Sequence, residues 1–277
     1  MSLEGHARYQ LDREVGRGAF AAVYLAHRAE DGVKVAIKHV LRKSRRVGVD
    51  WTALREVKLL RELQHENIVR VLDVFALPGS INMVMELCPF DLKKVIDNKA
   101  VLLTEEHIKS YMKMMLVGTK VMHEFWVLHR VRERLARAQW SPPELLFGAK
   151  EYGVGVDTWS IGCIMAELMM RKIFLPGNSD EDQLAKIFWM FGTPTEKEWP
   201  RMTALKHFVK FTDRAPVNLR DIFKAYSPEA VDLLKGLMEI NPVNRLTADQ
   251  ALEHTFFTTS NHPATPPEEL PFDALMK

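Results

Sequence analysis

Alternating apolar and polar residues predict β-strands in the first part of the chain. The alternating runs cover residues 9–15, 22–27, 34–40, 68–75 and 81–87. Turn sequences such as Asp31-Gly32 separate them and favour tight connections between antiparallel neighbours. After the third run, residues 50–63 place apolar side chains, including Leu54 and Val57, at helical spacing. The first part is therefore predicted to contain five strands and one amphipathic helix.

Beyond residue 91 the spacing of apolar residues becomes that of helices. Helices are predicted over residues 92–98, 104–125, 156–170, 180–191, 227–238 and 247–253. Residues 156–170 are apolar on nearly every side, which is typical of a helix buried inside its lobe. The expected fold class is α+β. Its predicted parts are a sheet lobe at 1–87, a hinge at 88–91, a helical lobe at 92–257 and an extended proline-rich tail at 258–277.

Composition restricts the classes of function. The formal net charge is +2 and the basic residues are spread along the chain, so neither nucleic acid nor a membrane surface is expected as a partner. No apolar run approaches the roughly 18 residues of a membrane span, and no signal peptide is visible. Cys88 and Cys163 make no disulfide framework. We expect an intracellular protein of the nucleus, the cytoplasm or both.

A glycine turn, a lysine and a glutamate suggest a phosphate-binding site. Gly16 and Gly18 lie between the first two predicted strands, where glycine lets backbone amides approach phosphate oxygens. The turn alone is a weak signal, because Ala21 replaces the third glycine of a GxGxxG pattern. Lys38 on the third strand and Glu56 on the next helix strengthen it, since kinase-type sites pair such residues beside the nucleotide. The alternative is a solvated strand lysine and an ordinary surface carboxylate.

Several segments resemble the eukaryotic protein kinase pattern in its cyclin-dependent form. They are residues 15–23, 35–38, 51–56, 85–88, 143–149, 157–163 and 191–194. Residues 145–156 and 174–177 are most similar to the CDK-activating kinases of that family. The resemblance covers nearly the whole chain. It implies a two-lobed protein kinase-like fold with a five-stranded antiparallel sheet and one helix in the first lobe and a mainly helical second lobe.

The resemblance also implies an ATP site. Backbone groups of Glu86 and Cys88 would bind adenine, and Met85 would take the gatekeeper position. The implied ATP-binding residues are Val15, Gly16, Gly18, Val23, Ala36, Lys38, Glu56, Met85, Glu86 and Cys88. Mg²⁺, a cyclin that contacts the helix around residues 51–56, and a protein substrate or client kinase are expected for the family.

Three charged residues of the second lobe have structural roles in this resemblance. Asp157 would bind the backbone of the His129-Arg130 turn, although an N-cap of the buried helix is an alternative role for such an aspartate. Glu144 would pair with Arg245, and the family favours burial of this pair. Breaking a buried pair costs on the order of 3 kcal/mol or more, whereas an exposed pair contributes roughly 1 kcal/mol or less.

The chain departs from the family pattern between Arg130 and Pro142. The pattern requires an Asp two positions after His129, an Asn five positions further on and the aspartate of a DFG motif for magnesium. Val131 follows Arg130 where the pattern has the catalytic Asp. About thirty residues are missing by comparison with the pattern, and they include the catalytic loop, the metal-binding motif and most of the activation segment.

The missing groups are not displaced elsewhere nearby. The sequence has no Asp at positions 98–156 and no Asn at positions 99–177. No intact catalytic residue is therefore expected, and His129 and Arg130 are a remnant of the catalytic loop. We expect this polypeptide to be catalytically inactive and to bind ATP weakly, with the Mg²⁺ ligands absent.

Two origins of the gap remain open. In the first, the gene encodes a cyclin-dependent Ser/Thr kinase of the CDK-activating type, and the present sequence is a splice variant or a faulty gene model. Alternatively, the chain is a pseudokinase or scaffold that binds a cyclin. The missing residues form one continuous segment in an otherwise intact pattern, which favours the first origin. The basic run Arg130, Arg132, Arg134 and Arg137 is either an anion dock or, with better support, a solvated loop.

Overall fold

The computed structural model describes residues 8–18, 21–41, 51–77, 80–129, 138–259 and 263–271. The chain divides into two compact units, Met1–Asp91 and Leu92–Lys277. We refer to them as the sheet unit and the helical unit. Among the helices in these ranges, none is both long and apolar enough to cross a membrane.

The sheet unit contains the five antiparallel strands and the helix that the alternation predicts. Its elements are β1 (Tyr9–Arg17), β2 (Ala21–Arg28), β3 (Lys34–Leu41), α1 (Trp51–Glu62), β4 (Val71–Leu77) and β5 (Ser80–Glu86). The strand order is β1-β2-β3-β5-β4, and each pair is antiparallel. The predicted sheet and its helix are thus confirmed.

The two faces of this sheet have different neighbours. On the helix face, Val57 of α1 packs with Ile81 and Met83 of β5. On the opposite, outer face, a second cluster forms around Tyr9 and Phe75. Because successive side chains of a strand point to opposite faces, the register assigns every residue to one of these environments.

The predicted start of β4 at residue 68 is wrong, because the strand begins at Val71. Ile68 is buried, but its backbone N–H binds the carbonyl of His65 in a turn, at 3.0 Å. The His65 ring also accepts a hydrogen bond from the Asn67 N–H, at 3.1 Å. Ile68 is therefore a buried loop residue, and in the sequence its apolar side chain looked like the first position of the strand.

The helical unit is built around one buried helix. Its helices are α2 (Leu92–Asp97), α3 (Glu105–Glu124), α4 (Pro143–Leu146), α5 (Gly155–Met170), α6 (Asp180–Phe191), α7 (Leu219–Ile222), α8 (Pro228–Leu237), α9 (Ala248–Leu252) and α10 (Thr255–Thr258). Thirteen of the sixteen residues of α5 are buried, which confirms the interpretation of its apolar sequence. Helices α3 and α8 pack against it.

The described part of the C-terminal tail is not extended throughout. Residues Pro267–Glu269 form a 3-10 turn, and Leu270 is buried. Thr265 is bound to α3, because its N–H donates to the Glu106 carbonyl at 3.3 Å and its carbonyl accepts from Ser110 Oγ at 2.5 Å. These contacts hold the tail against the helical unit.

Candidate functional site

Lys38 and Glu56 form an ion pair in the sheet unit. Lys38 Nζ donates to Glu56 Oε1 at 2.6 Å. The side chains are 29% and 39% exposed, so the pair lies at the border between protein and solvent. In the structure Lys38 and Glu56 are thus bound to each other, whereas the alternative interpretation had a solvated strand lysine and an ordinary surface carboxylate. α1 therefore holds the ammonium group of β3 in a fixed position.

Most of the apolar residues predicted to bind ATP lie with Lys38 on the helix face. Val23 of β2 pairs with Lys38, and Ala36 pairs with Met85 of β5. Gly16 of β1 pairs with Val23 at the edge of this group. Directly opposed residues of antiparallel strands share a face, so the register brings these side chains together.

Val15 and Gly18 are at the edge of the same sheet. Val15 lies at an irregularity of the β1–β2 ladder, and the residue is 45% exposed. The N–H of Gly18 donates to the Ala21 carbonyl at 2.8 Å, which closes the connection from β1 to β2. Residues 19–20 of this connection lie outside the described ranges.

The hinge residue Glu86 is held by Arg70, which directly precedes β4. Its N–H donates to the Arg70 carbonyl at 3.1 Å, and its Oε1 accepts from the Arg70 N–H at 2.7 Å. Cys88 follows as an exposed free thiol. Partial burial of the sulfur raises the pKa of Cys88, and the negative charge of Glu86 raises it further.

These residues fit a nucleotide in their chemistry. A lysine held by a carboxylate is a suitable partner for phosphate oxygens. Ala36 is small and Val23 is apolar, so the helix face offers apolar side chains beside that lysine. The sheet unit therefore retains the groups that would hold ATP.

Asp157 binds the backbone at the border of the gap. Its Oδ2 accepts from the His129 N–H at 2.9 Å and lies 2.9 Å from His123 Nε2. The N-cap of α5 is Val154, which has no capping side chain, so Asp157 is not the N-cap. The implied contact with His129 is present. Arg130 and the rest of the basic run, residues 131–137, lie outside the described residues.

Glu144 and Arg245 form the buried pair that the resemblance favours. Two parallel bonds join them, from Nη1 to Oε1 at 2.8 Å and from Nη2 to Oε2 at 3.0 Å. The side chain of Arg245 is 0% exposed and that of Glu144 is 5% exposed. The remaining guanidinium N–H groups donate to the carbonyls of Glu239, Gly155 and Ile240. All five donors of Arg245 are therefore used.

The chain is anchored again directly after the gap. Ala138–Trp140 forms a 3-10 turn. Ser160 Oγ donates to the Trp140 carbonyl at 3.0 Å, and the Trp140 indole N–H donates to Glu167 Oε1 at 3.0 Å. Gln183 Nε2 donates to the Gln139 carbonyl at 3.1 Å. Sequence reasoning missed this anchor, although a glutamate inside the apolar helix α5 was a signal for it.

No described group of three or more His, Cys, Asp or Glu residues is arranged to hold a metal ion. Of the catalytic-loop remnant, the described part is His129, which is exposed. Among the described residues on either side of the gap, the side chains therefore support the fold and form no cluster of carboxylates.

A sequence model of the protein kinase domain matches residues 9–130 and 131–257. The chain belongs to the protein kinase family. Among its relatives, cyclin-dependent kinase 7 of Dictyostelium discoideum is 40% identical over 95% of this chain and 83% of its own length. Cyclin-dependent kinase 7 of Xenopus laevis is 41% identical over 92% and 82%. Serine/threonine-protein kinase crk1 of Schizosaccharomyces pombe is 36% identical over 93% and 87%. The chain thus falls in the cyclin-dependent branch of the family.

The same comparisons show how many aligned positions of the relatives have no residue in this chain. The alignment with the Dictyostelium relative spans 300 positions but uses 95% of 277 residues, about 263, so about 37 positions have no residue here. The Xenopus alignment spans 291 positions and uses 92%, about 255 residues, which leaves about 36. The two matched kinase segments meet between Arg130 and Val131, directly after the His129-Arg130 pair where the resemblance places the gap.

Proposed function

We propose that this polypeptide binds ATP weakly through its sheet unit and does not transfer the phosphoryl group. The observation that carries the proposal is the interruption after Arg130, at the junction of the two kinase segments. It coincides with the absence of any Asp at positions 98–156 and any Asn at positions 99–177. The base and both metal ligands of the family are therefore missing together.

The remaining groups would bind the nucleotide without completing the chemistry. Lys38, held by Glu56, would contact the phosphates, and the backbone of Glu86 and Cys88 would bind adenine. ATP, when bound, supplies the phosphoryl group of the family's reaction. Without the carboxylate and amide ligands the chain has no means to place Mg²⁺ on the phosphates, and each tenfold loss of rate corresponds to about 1.4 kcal/mol of barrier.

At the level of the gene, we propose a cyclin-dependent Ser/Thr kinase of the CDK-activating type that phosphorylates Ser or Thr of a protein substrate or client kinase. The loss of one continuous block supports this origin, because the rest of the pattern is intact. A cyclin is the proposed partner, with α1 as the contact, and we place the protein in the nucleus, the cytoplasm or both. Neither nucleic acid nor membrane is part of the proposal.

A pseudokinase or scaffold is the second candidate. It is favoured by the preserved pair of Lys38 and Glu56, which positions α1 independently of the missing segment. In this case the cyclin would bind the chain without any phosphoryl transfer. Sequencing the transcript across codons 130–141 separates the two origins, because a catalytic-loop continuation after Arg130 would exclude the pseudokinase.

Activity is tested by phosphoryl transfer from radiolabelled ATP and Mg²⁺ to a cyclin-dependent kinase substrate, with a cyclin present. We expect no transfer above that of Lys38→Met. Insertion of the corresponding segment of a relative between Arg130 and Val131 is expected to restore transfer. Transfer by the unaltered chain that Lys38→Met abolishes would refute the proposed inactivity.

Nucleotide binding needs a separate measurement. Titration with a fluorescent ATP analogue is expected to give weak affinity that changes little when Mg²⁺ is removed. Lys38→Met should weaken it about tenfold, which corresponds to about 1.4 kcal/mol. Lys34→Met on the same strand is the matched control, because Lys34 is exposed. Equal affinity of Lys38→Met and the parent chain would exclude the proposed role of Lys38.

A further inference from the structure

Four hydroxyl residues of the described chain are directly followed by a proline. They are Ser141, Thr193, Ser227 and Thr265. Serine or threonine before proline is the sequence that proline-directed protein kinases modify, and protein kinases bind the modified segment in an extended form. Such a site therefore needs an unoccupied hydroxyl, a reachable proline and a segment outside helices and strands.

Three of the four residues fail one of these requirements. Thr193 Oγ1 donates to the Thr212 carbonyl at 2.8 Å. Ser227 is the N-cap of α8, and its Oγ donates to Glu105 Oε1 at 2.5 Å. Ser141 is followed by a buried proline. Modification of any of these three would first have to disrupt a structural contact of the helical unit.

Thr265 meets all three requirements. Residues 263–266 are neither helix nor strand, Thr265 is partly exposed and Pro266 is exposed. None of the described residues forms a hydrogen bond with the Thr265 hydroxyl, whereas the N–H and carbonyl of Thr265 fasten the tail to α3. Opening of these two backbone bonds is a local event that leaves the helices intact. The hydroxyl is therefore available at the point where the tail is fastened.

The part of α3 that binds Thr265 is acidic. Its first turn contains Glu105 and Glu106, and Thr265 is bound to the carbonyl of Glu106 rather than to an N–H at the start of the helix. Lys109 is 2% exposed, and its ammonium group lies 4.7 Å from the centre of the Phe256 ring. Burial lowers the pKa of Lys109, and the charges of both glutamates raise it. Two carboxylates and one ammonium group give this turn a net charge of −1, so a further anion would be repelled.

We propose that Thr265 is phosphorylated by a proline-directed Ser/Thr protein kinase and that the phosphate releases the C-terminal tail from α3. Thr265 Oγ1 attacks the γ-phosphorus of ATP held by that kinase, and its proton passes to a carboxylate of the kinase. The new O–P bond forms while the bond to the bridging oxygen breaks, and its electron pair leaves with ADP. The phosphate carries about −1.5 to −2 charge at pH 7, so it is repelled by the acidic turn and the bonds of Thr265 to Glu106 and Ser110 are lost.

The first test is phosphorylation of the full chain by an activated mitogen-activated protein kinase, which is proline-directed, with radiolabelled ATP and Mg²⁺. Mass spectrometry locates the phosphate, and we expect Thr265 to carry most of it. Thr265→Val keeps the shape of the side chain but removes the acceptor hydroxyl, so it should lose most of the incorporation. A synthetic peptide of residues 259–271 shows whether the kinase accepts the sequence outside the fold, and a reaction without added kinase is the blank.

The second test measures release of the tail. Amide hydrogen exchange of Thr265 and Leu270, corrected for intrinsic rates, is compared by NMR between the phosphorylated and the unmodified chain, with the amide of Ile161 in α5 as the internal control. We expect both tail amides to exchange about tenfold faster after phosphorylation, because charges of this size several ångströms apart near a protein surface repel by that order. Thr265→Glu should reproduce part of the change, whereas Thr265→Gln, which has the same length without the charge, should exchange like the parent chain.

Three results would overturn the proposal. The first is a chain that carries no phosphate at Thr265, whether or not the peptide is modified, or one that is modified mainly at Ser141, Thr193 or Ser227. The second is unchanged exchange of the Thr265 and Leu270 amides after phosphorylation, which would mean that the tail stays bound. The third is equal acceleration by Thr265→Gln and Thr265→Glu, which would mean that size rather than charge displaces the tail.

Discussion

Removing the charge of Glu144 is predicted to destabilise the helical unit strongly. Glu144→Gln keeps the length of the side chain, but its NH₂ group would face an N–H of Arg245. The guanidinium would then remain buried, 3% exposed as a residue, without its carboxylate partner. Breaking a buried pair by changing one member costs about 3 to 5 kcal/mol. For a unit of this size each kcal/mol lowers the melting temperature by roughly 2 to 4 °C, so a decrease of roughly 10 °C is expected.

Removing both charges should not restore stability. Apolar replacement of a whole buried pair is often neutral. Here, however, Arg245 also donates to the carbonyls of Glu239, Gly155 and Ile240. The double variant Glu144→Leu with Arg245→Leu would leave these three acceptors without that donor, at about 1 kcal/mol or more for each that remains buried and unpaired. We therefore expect it to remain clearly less stable than the parent chain.

The assay is unfolding by heat, which gives the melting temperature, and by urea, which gives the free energy of unfolding, each followed by circular dichroism and by tryptophan fluorescence. Asp97→Asn is the matched control, because Asp97 pairs with Lys93 and both side chains are more than half exposed, 60% and 64%. This control should change the free energy of unfolding by less than about 1 kcal/mol. If Glu144→Gln unfolded within the same limit, the argument from burial would be refuted.

Two further predictions concern packing and thiol reactivity. Gly162→Ala should cost about 1 to 3 kcal/mol of stability, because its Cβ would lie 2.6 Å from Met238 Cγ. Gly153→Ala, which meets nothing within 4 Å, is the control, and equal unfolding midpoints would contradict the reasoning. Cys88 should react with iodoacetamide more slowly than a free thiol at pH 8, because its raised pKa leaves less thiolate at that pH. Glu86→Gln should speed the reaction, and an unchanged rate–pH profile would exclude the influence of that carboxylate.

The regular parts of the fold were predictable because their sequence signals are local. Period-two alternation identified five strands, and the continuous apolar sequence of α5 identified a buried helix. Lys38 and Glu56 were found because a strand lysine and a helix glutamate have distinctive chemistry. In each case the residue type and its spacing were sufficient.

The missed features depend on contacts between distant parts of the chain. Helices α4, α7 and α10 have four residues each, which is too short for a periodic pattern. A cavity of about 200 Å³ on the outer face of the sheet, for example, requires Tyr9, Phe75 and Asn82 to meet from three strands.

Helix α5 explains how the helical unit closes around the missing segment. Asp157 near its start binds the His129 N–H before the gap, and Ser160 binds the Trp140 carbonyl after it. The two anchoring residues are three positions apart, which is a rise of about 4.5 Å along a helix. Eight residues, 130–137, have an extended reach of at most about 29 Å, which is long compared with one turn of the helix that holds both borders. Both borders are therefore held by the same buried helix, and the family's catalytic segment can be absent while the kinase-like core around α5 persists.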